Sequence, residues 1–87
     1  MYYTYVLLCT GKGKDTDLYI GSTSDLRQRV KQHRMRGVQT TKKFDNVELV
    51  YYEACANKTD ARERELQLKT GFGRGYLKRR LKNYLRD

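Results

Sequence analysis

The chain is expected to fold as an α+β domain, a three-stranded antiparallel sheet flanked by helices in the order ββα–βαα. Three observations predict this. Three short runs rich in aromatic and β-branched residues read as strands. Two stretches join an N-terminal capping pattern to apolar residues at helical spacing. The length of 87 residues leaves room for a single core, so residues 1–87 form one domain.

The first strand is Tyr2–Cys9. Residues 11–17, rich in Gly, Lys and Asp, form the turn of a hairpin whose second strand is Leu18–Gly21. Ser22 to Asp25 matches a capping box, with a helix running to about Met35 and Gly37 ending it. On that helix Leu26, Val30 and His33 share a face, and Arg29 flanks it. Residues 38–46 are polar and basic and read as irregular. Val47–Glu53 alternates as a third strand. Asn57 can cap the next helix, with Asp60 three residues on and Gly71 as its stop. Residues 71–75 then read as a glycine-rich flexible connector. The last helix runs from Tyr76 to Leu85, with Leu77, Leu81 and Leu85 on one side and Lys78, Arg79, Arg80 and Lys82 turned outward.

Nineteen Lys and Arg against ten Asp and Glu leave a net charge of +9 and a pI near 9.8. A small surface with that field suits a polyanionic partner. Two cysteines, Cys9 and Cys55, make no disulfide framework, and with a single His they build no closed zinc site. No run is apolar enough to span a bilayer. The expectation is a reduced, cytoplasmic setting with no membrane partner. Oligomeric state is left open.

Glu65 stands out. Ala61, Glu65 and Leu68 fall on one helical face, and a carboxylate enters such a stripe only when paired or when it holds a metal. Without its cation the buried carboxylate should burden the fold, so Glu65→Gln is expected to melt slightly higher. His33 reads either as a satisfied core residue or as a proton relay, and Arg29 either as an ion-pair partner or as a phosphate donor.

Thr4-Tyr5-Val6 in the first strand and Tyr19-Ile20-Gly21 in the second resemble the paired signatures of the GIY-YIG nuclease superfamily. The likeness continues through Arg29 and His33, the basic loop at Thr40-Thr41-Lys42, Glu53, and the helix carrying Glu65, so it covers nearly the whole chain. The Gly of the first signature is replaced by Tyr3, and Asn83 stands at a doubtful spacing for an Asn that some members carry. The resemblance implies a divalent-metal-dependent endonuclease acting on nucleic acid, DNA in preference to RNA, with Mg2+ or Mn2+ held by Glu65. It implies that Tyr5, Tyr19, Arg29, His33 and Glu65 are catalytic. Lys42, Lys43, Lys69, Arg74, Lys78, Arg79 and Lys82 are the candidate nucleic-acid contacts. The competing readings are a basic binding module on the same scaffold without turnover, and an RNA-associated structural protein.

Overall fold

The computed structural model describes residues 1–11, 16–35, 37–38, 41 and 44–86. Its elements are β1 (Tyr2–Thr10), β2 (Thr16–Thr23), α1 (Leu26–Arg34), β3 (Asn46–Cys55), α2 (Lys58–Leu68), α3 (Gly71–Arg80) and α4 (Lys82–Arg86). The strands form one antiparallel sheet, as the sequence predicts, and its spatial order is β2-β1-β3. Lys42 and Lys43, and the tip of the first hairpin, lie outside the described residues.

Alternation along β1 builds two half-cores. Tyr5, Leu7 and Cys9 pack with Val30, Phe44 and Val47 on the face that α1 covers. Val6 packs with Ile20, Leu68 and Leu77 on the opposite face, beneath α2 and α3. Cys9 behaves as the small hydrophobe its setting suggests. Burial, with Asp17 adding to it, pushes its thiol up to about 11.

The register of β3 slips between Val6 and Leu7, where Val6 faces Tyr51 and Leu7 faces Leu49. This bulge resets the alternation, as an extra residue in one strand must. Val47 and Leu49 face the α1 side, Tyr51 turns toward α3, and Tyr52 returns to the α1 side opposite Tyr5. On the far side Glu53 takes two bonds of 2.9 Å from Arg64, and the Tyr51 hydroxyl donates to Glu53 at 2.9 Å. Arg64 also lies 5.0 Å from the centre of the Tyr76 ring. This network joins β3 to α2 and α3.

Four local expectations need correction. Ser22 does not cap α1: Asp25 does, its Oδ1 accepting from the Gln28 amide at 3.0 Å, while Ser22 belongs to β2. Asn57 caps α2 as expected, accepting from Thr59 and Asp60 amides. That helix ends at Leu68, however, and Gly71 opens α3 instead of stopping α2. The glycine-rich stretch is therefore helical. Thr70 caps it by accepting from the Gly73 amide at 3.1 Å. Gly73 is required by contact, since a Cβ there would lie 2.2 Å from the Gln67 carbonyl oxygen and 2.4 Å from the Leu68 Cα. The last predicted helix breaks at Leu81 into α3 and α4, and of its three leucines only Leu77 is fully buried.

Candidate active site

Tyr5 sits in the central strand with Gly21 directly across in β2. The missing side chain at Gly21 matters, because a Cβ there would stand 2.5 Å from the Tyr5 hydroxyl. Glycine thus lets the phenol reach over β2 toward the edge of the sheet. Gly21→Ala is expected to displace that hydroxyl, lowering turnover about tenfold and stability by about 1–3 kcal/mol. Single-turnover kinetics beside a thermal melt would separate the two effects.

The hydroxyl is held from two sides. Its oxygen is 3.0 Å from His33 Nε2 and receives a longer bond, 3.4 Å, from Arg29 Nε. The His33 Nδ1 lies 2.8 Å from the Thr41 hydroxyl, so both ring nitrogens are engaged. With Arg29 donating to the phenol oxygen, the consistent assignment has Tyr5 donating to Nε2 and Nδ1–H donating to Thr41. The Tyr19 ring completes the cluster, 4.9 Å from the imidazole and 6.3 Å from Tyr5 between ring centres.

Burial raises the Tyr5 phenol above its ordinary pKa, against the opposing bond from Arg29. Burial, then the Arg29 charge, pushes His33 down to about 4. The site thus holds His33 neutral at physiological pH, ready to accept a proton. Because the folded value lies below the unfolded one, near 6.5, this stability is present above pH 6.5 and is lost as pH falls toward 4. Between pH 7 and pH 5 His33 alone should cost about 2 kcal/mol of stability. Urea unfolding of wild type and His33→Gln at both pH values checks it, and the variant should show the weaker dependence.

Glu65 is buried, as the helical stripe predicts, together with Ala61 and Leu68. Its carboxylate is fully partnered. Ser22 donates to Oε1 at 2.7 Å, and both Lys69 and Arg62 meet Oε2 at 2.7 Å. Burial pushes the carboxyl pKa up, but these bonds, led by Lys69, win and hold it below the usual carboxylate range. Arg29 does not pair with Glu65; its Nη1 donates instead to Gln32 Oε1 at 2.9 Å. The structure therefore brings Tyr5, Tyr19, Arg29 and His33 into one cluster. Glu65 is tied to Ser22, the residue next to Gly21.

Glu65 is the carboxylate that a divalent cation would meet here. No group of three His, Cys, Asp or Glu that could hold a metal occurs among the described residues. One ionised carboxylate beside a serine hydroxyl nevertheless fits a hard cation such as Mg2+, which keeps most of its waters and takes few protein ligands. The two cations on Oε2 belong to largely exposed side chains, which can move aside.

A model of the GIY-YIG catalytic domain matches residues 1–80. The chain belongs to the GIY-YIG family. Among curated proteins it is 40% identical over 70 residues to a UPF0213 protein of Clostridium perfringens, covering 79% of this chain and 71% of that one. It is 39% identical to a UPF0213 protein of Bacillus pumilus, covering 79% and 67%. A UPF0213 protein of Staphylococcus haemolyticus is 36% identical, covering 79% and 80%. No solved structure gives a significant match. GIY-YIG domains form a nuclease family whose members generally use divalent metal ions, which makes nucleic acid the substrate class.

In this GIY-YIG domain three contributors escaped the sequence reading. Ser22 fits a helix-capping pattern in the sequence, and its place directly after the predicted second strand, next to Gly21, is the available signal. Thr41 was noted only within a basic loop, and Arg62 not at all, although it precedes Glu65 by three positions on one helix. Of the candidate nucleic-acid contacts, Lys69 is committed to Glu65. Arg74, Lys78, Arg79 and Lys82 are exposed on α3 and α4. No helix among the described residues is long and apolar enough to cross a membrane.

Proposed function

We propose that this chain is an endonuclease hydrolysing phosphodiester bonds in nucleic acid, with DNA favoured over RNA, in a reduced cytoplasmic setting. The observation that carries this is the convergence at one sheet edge. A phenol is fixed by imidazole and guanidinium over Gly21, and an ionised buried carboxylate is anchored by the neighbouring Ser22. DNA is favoured because the resemblance to GIY-YIG nucleases implies it.

In-line attack at phosphorus needs water oriented for attack, charge compensation on the non-bridging oxygens, and a proton for the leaving oxygen. Arg29 is partly exposed and keeps donors free to turn toward a phosphate. The Tyr5 hydroxyl, with its oxygen toward Arg29 and its proton toward neutral His33, can orient the attacking water and pass a proton along the His33–Thr41 chain. Tyr19 lines the same opening. Glu65 would hold Mg2+ or Mn2+, which would supply Lewis-acid compensation of phosphate charge.

The test incubates the protein with labelled DNA and RNA, single- and double-stranded, in Mg2+, Mn2+ or EDTA. Cleavage only with the metal supports the reading, and binding without cleavage under every condition replaces it with the non-catalytic module. The basic surface is tested apart from the chemistry. Neutralising Lys78, Arg79 and Lys82 is expected to weaken binding alike for unrelated sequences and to flatten the log–log salt slope by roughly one to three units. Turnover at saturation should hold. An unchanged slope would leave α3 and α4 as a solvated face.

A further inference from the structure

A groove of about 840 Å³ runs between α1 and β3, on the opposite flank of α1 from Arg29. Its lining combines two chemistries. Tyr3 and Tyr52 form an edge-to-face pair with centres 6.0 Å apart and planes at 65°. Tyr52 is 52% exposed, so Tyr3 supports a ring that remains open. Along the helix, Arg27, Lys31 and Arg34 stand at successive turns and are all exposed. The acidic residue among the described lining, Asp25, already accepts the Gln28 amide as the cap of α1.

The bulge in β3 gives the aromatic ring its meaning. It turns Tyr52 onto the α1 side, directly across from Tyr5, whose other neighbour in the row is Gly21. Gly21, Tyr5 and Tyr52 thus occupy one row across the sheet. Strands lie about 5 Å apart, so the open ring stands about 10 Å from the strand over which the Tyr5 hydroxyl reaches.

An open phenol ring beside a row of cations is the arrangement that stacks a base and neutralises its phosphates. A paired base has no free face for such stacking, because its neighbours in the helix cover both. We infer that the groove is a subsite for an unpaired stretch of substrate nucleic acid, with Tyr52 stacking a base and Arg27, Lys31 and Arg34 meeting phosphates. This rests on the nuclease reading and extends it to substrate form.

Binding of labelled oligo(dT) and of a hairpin duplex is measured by anisotropy in EDTA, which suppresses metal-dependent cleavage. The proteins compared are wild type, Tyr52→Ala, Tyr52→Phe and the Arg27→Gln/Lys31→Gln/Arg34→Gln triple variant. Tyr52→Ala should bind oligo(dT) about tenfold more weakly, with Tyr52→Phe close to wild type and duplex affinity within about twofold. The triple variant should lose about one to two units of salt slope on oligo(dT). Equal losses on both probes, or unchanged oligo(dT) binding by Tyr52→Ala, overturns the subsite while leaving the nuclease reading intact. Wild type that binds neither probe removes both. A Tyr52→Ala variant that instead changes from dimer to monomer on sedimentation makes the groove a contact between copies of the chain.

Discussion

Glu65→Gln is expected to lose cleavage by about a thousandfold or more while still binding nucleic acid. The amide keeps the shape of the carboxylate and can still accept from Ser22, but it offers no charge to a cation. The three bonds around Glu65 also reverse the stability expected from sequence. The carboxylate is already neutralised by Lys69 and Arg62, so its loss should lower stability by about 1 kcal/mol instead of raising it. Quench-flow cleavage, anisotropy binding and a thermal melt on one preparation check all three statements. Near-wild-type cleavage would remove Glu65 from the chemistry.

Arg29→Lys should lose about a hundredfold or more, almost all of it in kcat. The guanidinium does two things at once. Its Nε reaches the Tyr5 phenol while Nη1 is fixed by Gln32. A single ammonium cannot reproduce that planar arrangement, so charge alone should not rescue activity. Steady-state kinetics resolve the outcome, and a change confined to KM would make Arg29 a docking residue.

The sheet and the buried carboxylate are legible because each rests on a local pattern. Tyr2–Cys9 is rich in aromatic and β-branched residues, and Ala61, Glu65 and Leu68 recur at helical spacing. The errors arose where one residue type serves two purposes. Ser22 satisfies a capping pattern, yet Asp25 three residues later caps as well, and the backbone had already committed Ser22 to β2. The run Gly71-Phe-Gly-Arg-Gly75 has poor intrinsic helix propensity, and tertiary contact overrides it. Gly73 lets α3 approach the end of α2 at a distance no side chain permits. The bulge at Val50 falls within the continuous apolar and aromatic run Leu49–Tyr52, which does not say which residue is skipped, so the facing of Tyr52, and with it the groove, is visible only in three dimensions. The bond from His33 to Thr41 bridges a helix and an irregular segment, which no periodicity encodes.

Tyr5 is 1% exposed and belongs to the apolar cluster under α1, yet its hydroxyl is the centre of the candidate site. Selection for stability and selection for catalysis therefore act on the same atoms in that half of the molecule. Repacking around Val30, Leu7 or Val47 moves the phenol, so that layer has little freedom to drift or to be engineered. The opposite layer, built from Val6, Ile20, Leu68 and Leu77, meets the site only along α2, where Leu68 shares the buried stripe of Glu65. Stabilising substitutions that leave the chemistry in place should therefore collect at positions such as Leu77 on α3, a small evolvable remainder in a core that is otherwise frozen.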